Sequence, residues 1–539
     1  MPTVIATWFA PAVQWKNTLE VLDYSGDGEF LFMLFPILLE QMQSDLAYPH
    51  SVQLPIKVIQ THAAAVFLTG DYAYKLKKTV DFGFLDYSTL AKRKYYLERE
   101  LELNQPIAPE IYLEVLTINC DDHQLKIKGK GEIVEYVLKM RQFPQDCLLI
   151  SLFEAGKLEE IHLKELASIV ANFHLHSKTN DYISSFGDPI NIKKSLDQNY
   201  SQTQKYIGKA QTQQQYEQTV SYSEFFFQNK SEVLKNRQSQ HKIRECHGDL
   251  HLKNICLWHD KIQLFDRIEF NDDFRFVDTM YDIAFTVMDL ESRGRSDLSN
   301  VFLNTYLELT GDWSGLEVLP LYLCRQAYVR AKVNSFLLDD PEISAQEQEN
   351  ATKTASLYYK LAWQYCQKNT AKLILMSGPS GSGKSTVARY LAKHLNAIHI
   401  RSDAVRKHLA QLDLQTRGSE NLYSSQMNQM TYQKLIELGN LAIENGFSAI
   451  LDAKFDRHRW RELAHQVQLI IYCNAPTEVL QKRVELRKHD VSDATKELLE
   501  SQLSGAEPFT LDEQDILLVL DTTGNWQEEL NHFFDSPIS

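Results

Sequence analysis

Residues 378 to 385 read GPSGSGKS, directly after the apolar run LILMS at 373–377. The spacing G-x-x-x-x-G-K-S constrains the fold more than any other feature of the chain. Its glycines let consecutive backbone N–H groups turn toward one anion, and the helix that must come next adds the favourable end of its dipole. Strand, loop and helix in that order open a parallel α/β unit. Further strands at FSAILDA (447–453) and VQLIIYCN (467–474) alternate with helical stretches, which predicts a parallel sheet with right-handed crossovers. Gly378, Pro379, Ser380, Gly381, Ser382, Gly383, Lys384, Ser385 and Thr386 are the expected cradle for ATP. Lys384 is placed for the β- and γ-phosphates and Ser385 as a Mg2+ ligand.

The residues beyond the loop point to a kinase rather than a motor. The stretch HIRSDAVRKHL puts Asp403 and Arg406 just past a second strand, and ILDAKF ends a strand in Asp452. These features resemble the small P-loop kinases of the polynucleotide kinase, gluconate kinase and zeta-toxin type. The resemblance implies that Asp403 activates an acceptor hydroxyl and that Arg406 holds substrate. Asp452 is then the metal-side carboxylate or a substrate-orienting one. A helix N-cap at Ser402 or Asp403, with Arg406 in solvent, is the plain structural alternative. In APTEVLQKRVELRKHD, Arg483 and Arg487 fall four apart on one helix face. They are lid arginines for the nucleotide, or a solvated face paired with Glu485 or Asp490.

A second motif stands well upstream. Residues 245 to 255 read ECHGDLHLKNI, and the strand KIQLFD ends in Asp266. Phosphoryl transfer asks for metal on the phosphates, a cation beside them and a carboxylate at the attacking hydroxyl. Asp249 suits the last role, with His247 bracing the loop. Asn254 and Asp266 suit the metal. The ordered set resembles the kinase-like fold, and within it the aminoglycoside phosphotransferase group, which carries HGD where protein kinases carry HRD. By that resemblance, which spans about residues 55–340, Lys75 in YAYK pairs the phosphates, with Lys77 facing the same way. Glu100 is its ion-pair partner, with Glu98 the rival. RQFPQD, containing Arg141 and Phe143, is the hinge that meets adenine. No G-x-G-x-x-G precedes Lys75, so a loop without that pattern must cover the phosphates. Acids cluster after Asp266, at Glu269, Asp272, Asp273, Asp278 and Asp282. They could draw in a polyamine-like substrate, Glu269 being the candidate; most read better as helix caps and as partners of Arg267 and Arg275.

The elements around this motif set the domain plan. Short strands read at IKVIQTH, AAVFLTG and YAYKLKK, then a helix with Ser88 as N-cap, then strands at IYLEVLTI, HQLKIKG and EIVEYVLKM. NICLWH and KIQLFD are two more, joined by a turn at Asp260-Lys261. The chain is expected to be an α+β kinase-like bilobal N-terminal unit joined to an α/β P-loop NTPase domain with a parallel sheet. Residues 1–54 are an extension not assigned to a core, 55–143 the N-lobe, 144–368 the helical C-lobe and 369–539 the P-loop kinase domain. At 539 residues the chain exceeds a single core.

Bulk properties narrow the partners. A net charge of -15 argues against nucleic acid held on a broad basic face. The seven cysteines contain no CxxC pair, which fits reduced thiols and gives no metal site. The longest apolar run, FLFMLFPILL (30–39), is short and broken by Pro36. No secretion-signal pattern opens the chain. A cytoplasmic protein acting on a small hydroxylated molecule is expected; its oligomeric state is not legible.

The two units in this order resemble a bacterial group of bifunctional aminoglycoside phosphotransferase/ATP-binding proteins. That implies two ATP- and Mg2+-dependent sites. Two other readings remain open: one site is catalytically idle and senses ATP for its neighbour, or the N-terminal unit is a protein kinase. The HGD loop and the lack of an APE-type motif after Asp266 count against the latter.

Overall fold

The structure is a computed structural model, and it describes residues 30–341, 343–416, 418, 420–486 and 505–535. It divides into two compact units. The first comprises residues up to 162, 172–293 and 321–366; the second comprises 163–171, 294–320 and the chain from 367 onward.

The N-terminal unit opens with an antiparallel sheet of six strands: β1 (Lys57–Gln60), β2 (Ala64–Leu68), β3 (Tyr72–Lys77), β4 (Tyr112–Asp121), β5 (Gln124–Ile127) and β6 (Glu132–Arg141), in the order β1-β2-β3-β6-β4-β5. All six overlie the runs read as strands from the sequence. Phe67, Tyr74, Leu76, Ile118 and Val137 make the buried face. The helix Phe30–Gln41 and the turn after it contribute Leu38, Met42, Ala47 and Tyr48 to the same core. The later part of the unassigned extension therefore belongs to this sheet. The helix Leu90–Asn104 crosses the other side, and its N-cap is Thr89, whose hydroxyl accepts the Lys92 N–H. Ser88, the expected cap, bonds Asp86 instead; either hydroxyl satisfies the capping pattern, and Thr89 has the extended backbone a cap needs.

Helices dominate the rest of this unit. Two small two-stranded sheets interrupt them: β7 (Ile243–Glu245) pairs with β10 (Phe276–Asp278), and β8 (Ile255–Trp258) pairs with β9 (Lys261–Leu264). The β8–β9 turn is His259-Asp260, both at positive φ (53° and 57°), one residue earlier than expected. Two left-handed residues form the turn whose twist matches the strands.

In the second unit five parallel strands, β11 (Leu373–Ser377), β12 (Ile398–Arg401), β13 (Ala449–Asp452), β14 (Val467–Asn474) and β15 (Leu517–Asp521), run in the order β12-β13-β11-β14-β15. Every residue of central β11 is buried, as a strand covered on both faces requires. The helix Ser296–Thr310, expected in the C-lobe, lies along edge strand β12. Asn300 and Asn304 donate to Ala397 O, and Asn304 Oδ1 accepts the His399 N–H at 2.7 Å. These side-chain amides satisfy an edge that would otherwise offer unpaired backbone, which is why 294–320 falls with the P-loop unit.

All seven cysteines are free thiols, and Cys324 and Cys366, 42 residues apart, bring their sulfurs to 3.4 Å. Among the described residues no helix is long and apolar enough to cross a membrane.

Candidate active sites

Alternation on β3 puts Lys75 and Lys77 on one face of the sheet. Both reach Glu100 from the Leu90–Asn104 helix: Lys75 Nζ lies 2.6 Å from Oε1 and Lys77 Nζ 2.9 Å from Oε2. The choice between the two lysines therefore dissolves, because one fully buried carboxylate holds both. Glu98 faces outward, 3.7 Å from Lys94.

Each lysine then takes a second acid from the segment after β9. Lys75 meets Asp266 at 2.8 Å; Lys77 meets Glu269 at 2.5 Å, and the Tyr87 hydroxyl shares that Glu269 oxygen. Burial alone would lower the Lys75 pKa, but Asp266, Glu100 and Glu269 outweigh it and hold the ammonium charged. Burial would likewise raise Glu100, yet the two lysines bring it down to about 2. Asp266 goes the other way: burial, with Glu100 and Glu269 nearby, pushes its carboxyl up despite Lys75. It sits at φ 62°, in the left-handed region, with its N–H on the Tyr112 hydroxyl.

The HGD loop is held from below. Backbone N–H groups of His247 and Gly248 donate to Asp282 at 3.0 and 2.7 Å, and His174 Nε2 stands 3.0 Å from the same carboxylate. His174, Cys246 and Asp282 converge within ligand distance of one another, but Asp282 is already engaged in bracing the loop. His247 bonds Phe265 O, and burial lowers its pKa to about 4, so the ring is neutral. Gly248 has φ 86°, and a Cβ there would lie 2.6 Å from Phe274 O; only glycine fits between His and Asp.

Asp249 is 5% exposed. Asn254 donates to its Oδ2 at 2.8 Å and to its backbone carbonyl at 3.0 Å. Oδ1 makes no hydrogen bond, with His251 Nε2 at 3.4 Å. Burial would raise this carboxyl, but His251 and His247 keep it below its ordinary range. Lys75, Asp249, Asn254, Asp266 and Glu269 line one cavity with Arg141 and Phe143. The Phe143 ring packs against Phe265 at 5.3 Å, and the Arg141 guanidinium lies over Tyr72. Two other acids after Asp266 are structural: Asp272 pairs Arg275, while Asp278 pairs Arg237 and caps the helix Thr279–Ser292. Arg237, 41 residues upstream of Asp278, was not visible as a partner in the local sequence.

In the second unit the glycine loop joins β11 to the helix Lys384–Leu395. Gly378 takes φ 130°, with Cys473 O only 2.4 Å from where a Cβ would stand. Gly381 and Gly383 are also left-handed. Lys384 Nζ donates to Gly378 O and Pro379 O at 2.8 Å each, folded over its own loop. Ser382 Oγ is buried without a hydrogen-bond partner. Ser385 and Thr386 lie on the first helical turn.

Asp452 ends β13 in register with Met376 of β11. It takes His399 Nε2 at 3.0 Å. Burial would raise its pKa, but His399, Arg401 and Lys384 hold it far below the ordinary range. His399 carries no motif, so sequence reasoning missed it. Asp403 lies in the first turn of the helix Ser402–Leu409, whose N-cap is Arg401 with no side-chain cap bond. Neither Ser402 nor Asp403 therefore occupies the cap position. Arg406 is buried, not solvated: it donates to Leu422 O and Asn428 Oδ1, under the Tyr423 ring. Arg483 bonds Thr522 twice, at 2.8 and 2.9 Å, and reaches Gly381 O at 3.4 Å. It borders the loop rather than solvent. Sequence reasoning also missed Thr522; its signal is the TTG just past β15. Arg487 lies outside the described residues.

Comparison with known proteins agrees with this geometry in the second unit. Residues 373–509 match the family model AAA_33, an AAA domain. The C-terminal unit is a P-loop nucleotide-binding domain. Uncharacterized proteins of Mycobacterium tuberculosis and Mycobacterium bovis are 29% identical over 463 residues, covering 84% of this chain and 90% of theirs. Among solved structures, a sugar kinase from Janibacter sp. HTCC2649 shares 22% identity over 31% of this chain and 95% of its own, with a TM-score of 0.26. A choline/ethanolamine kinase family protein from Mesorhizobium loti shares 10% over 61% of this chain and 99% of its own, with a TM-score of 0.35.

Proposed function

We propose that this protein is an ATP-dependent phosphotransferase with two nucleotide sites, each moving a γ-phosphoryl group onto a hydroxyl of a small molecule. The charge count in the N-terminal cavity carries the reading. Among the described residues, Glu100, Asp266 and Glu269 pair with no cation but Lys75 and Lys77, three carboxylates against two ammonium groups. An excess buried negative charge is costly until a cation joins it, and the raised Asp266 pKa is consistent with that excess. Mg2+ fits the donor set, since Asp266 and Asn254 offer hard oxygen ligands. In the P-loop unit the left-handed glycines and the orphaned Ser382 Oγ suit a polyphosphate, with Ser385 and Asp452 on the metal side.

The metal supplies charge neutralisation on the phosphates when bound. The protein's own groups do the rest. Glu100 fixes Lys75 for the non-transferred phosphates. Asn254 pins one oxygen of Asp249, leaving Oδ1 to accept the proton as the acceptor oxygen bonds to phosphorus and ADP departs. The hinge at Arg141 and Phe143 borders the base. In the second site Lys384 exchanges loop carbonyls for the β- and γ-phosphates, Asp403 takes the acceptor proton and Arg406 orients the acceptor. Arg483 flanks the nucleotide. A cytoplasmic setting, with no nucleic-acid acceptor, goes with this reading.

The test is transfer from γ-labelled ATP to a panel of hydroxylated metabolites and aminoglycosides. Asp249→Ala should abolish one acceptor-dependent activity and Lys384→Ala another. If Asp249→Ala leaves all acceptor-dependent transfer unchanged, the N-terminal site is a nucleotide sensor and not an enzyme.

A further inference from the structure

Beside the ATP cavity of the N-terminal unit lies a second, larger one of about 1270 Å³. The two share Phe82, Phe84 and Phe274 in their walls. Two helices form its floor, Pro189–Thr203 and Leu319–Phe336. From the latter, Arg325, Val329, Lys332 and Phe336 fall at i, i+4, i+7 and i+11, one face of a helix, and all four line the cavity.

The charge on that floor is positive. Arg325 lies 4.6 Å over the Tyr281 ring and donates to Ser195 Oγ at 2.9 Å, while its Nε is buried with no hydrogen-bond partner. Among the described residues Arg325 makes no ion pair. Lys332 is 5% exposed and donates to Asn199 Oδ1 at 2.6 Å and Gln202 Oε1 at 3.2 Å. Burial and the adjacent Arg325 charge bring its pKa down to about 8, as expected for two cations crowded together. Among the described residues, the acids at this cavity do not offset Arg325. Asp278 is taken by Arg237 at 2.6 and 2.7 Å, and Asp339 by Lys205 and the Tyr206 hydroxyl. Asp81 and Asp273 sit exposed at the rim. Tyr281, which Arg325 covers, directly precedes Asp282, whose carboxylate accepts the His247 and Gly248 N–H groups of the loop that carries Asp249.

We propose that the acceptor of the N-terminal site is an anionic alcohol, with its phosphate or carboxylate on Arg325 and Lys332 and its hydroxyl turned toward Asp249. This rests on the phosphotransferase reading above and specifies its substrate class. A half-buried Arg325 with an orphaned Nε, crowded against a buried lysine beside a roomy cavity, gains when an oxyanion forms charge-assisted hydrogen bonds there. A polycationic aminoglycoside would meet repulsion at the same floor. The transfer itself is unchanged: the acceptor oxygen bonds to the γ-phosphorus, its proton passes to Asp249, and ADP leaves.

The experiment uses the full chain and two readouts. First, transfer from γ-labelled ATP is compared within matched sets: sugar alcohols against their phosphate monoesters, hydroxy acids against their amides, and kanamycin. Asp249-dependent transfer is expected only to the anionic members. Arg325→Ala and Lys332→Met should each raise KM for them by ~10- to 100-fold, the loss of one charge-assisted contact, with kcat and the KM for ATP little changed. Second, inorganic phosphate binding is measured by calorimetry in a Lys384→Ala background, which removes the P-loop's own phosphate site, on the otherwise wild-type chain and with Asp249→Ala or Arg325→Ala added. Binding should persist in Asp249→Ala and be lost in Arg325→Ala. Equal kcat/KM for neutral, cationic and anionic acceptors, or phosphate binding indifferent to Arg325, overturns the inference. Arg325-dependent phosphate binding without any Asp249-dependent transfer would overturn the catalytic reading alone and leave an anion site.

Discussion

The two candidate sites are built in opposite ways. The P-loop site is one continuous stretch, Gly378 to Thr386, whose conformation is written locally by glycines at positive φ. The N-terminal site is assembled from β3, the Leu90–Asn104 helix, the HGD loop and the segment after β9, so that Lys75 and Asp266 meet across 191 residues. A contiguous site needs little from the rest of its unit to keep its shape. A dispersed one is stable only while the whole unit is folded, and its charges become part of that unit's stability.

The largest expected effect exploits this difference. Glu100→Ala leaves Lys75 and Lys77 without their shared, fully buried partner. Breaking a buried ion pair from one side costs about 3–5 kcal/mol, so urea denaturation should show the N-terminal unit destabilised by that order. Lys384→Ala should abolish nucleotide binding at the P-loop while shifting stability by less than about 1 kcal/mol, since Lys384 is only partly buried. Equal destabilisation by the two would erase the distinction.

Next come the glycines that both sites need. Gly248→Ala and Gly378→Ala each force a side chain into a left-handed position against a carbonyl, at 2.6 and 2.4 Å. Strain of about 1–3 kcal/mol is expected in each. Each variant should inactivate its own site and spare the other, as read by acceptor transfer in the two units separately.

Acid should find the N-terminal unit first. Glu100 has a folded pKa of about 2, below its ordinary 4.5, so its stabilisation is complete above 4.5 and is lost as pH falls toward 2. His247, lowered from 6.5 to about 4, is neutral in the folded loop, so its contribution is complete above 6.5 and is lost as pH falls through 4. Stability measured from pH 7 to 4 should decline with a slope that His247→Asn reduces. An unchanged slope would mean that the buried ring is not what titrates. The smallest effect is at the helix that carries Glu100: Thr89→Ala should cost about 1 kcal/mol and Ser88→Ala a few tenths.

The same contrast explains what the sequence could disclose. The P-loop, its flanking strand and helix, four of the five parallel strands and the six strands of the N-terminal sheet were legible, because glycine spacing, apolar runs and β-branched content are local signals; β15 was not read. HGD and its Asn were legible as a motif. Which lysine meets Glu100 was not, since period 2 puts Lys75 and Lys77 on the same face and only the packed structure shows one carboxylate reaching both. The membership of 294–320 was equally hidden, because Asn300 and Asn304 are ordinary helix residues until edge strand β12 lies beside them. His399 beside Asp452, and Arg325 with Lys332 on a cavity floor, belong to the same class. Their meaning comes from neighbours distant in the chain.

The central claim is that one polypeptide carries two separate triphosphate cradles. Titrating the full chain with a non-hydrolysable ATP analogue and Mg2+ in a calorimeter tests it most directly. Two sites per chain are expected in the wild type, with one lost in Lys384→Ala and the other lost in Lys75→Ala. A wild-type stoichiometry of one, or two sites that both vanish with Lys384→Ala, would contradict it.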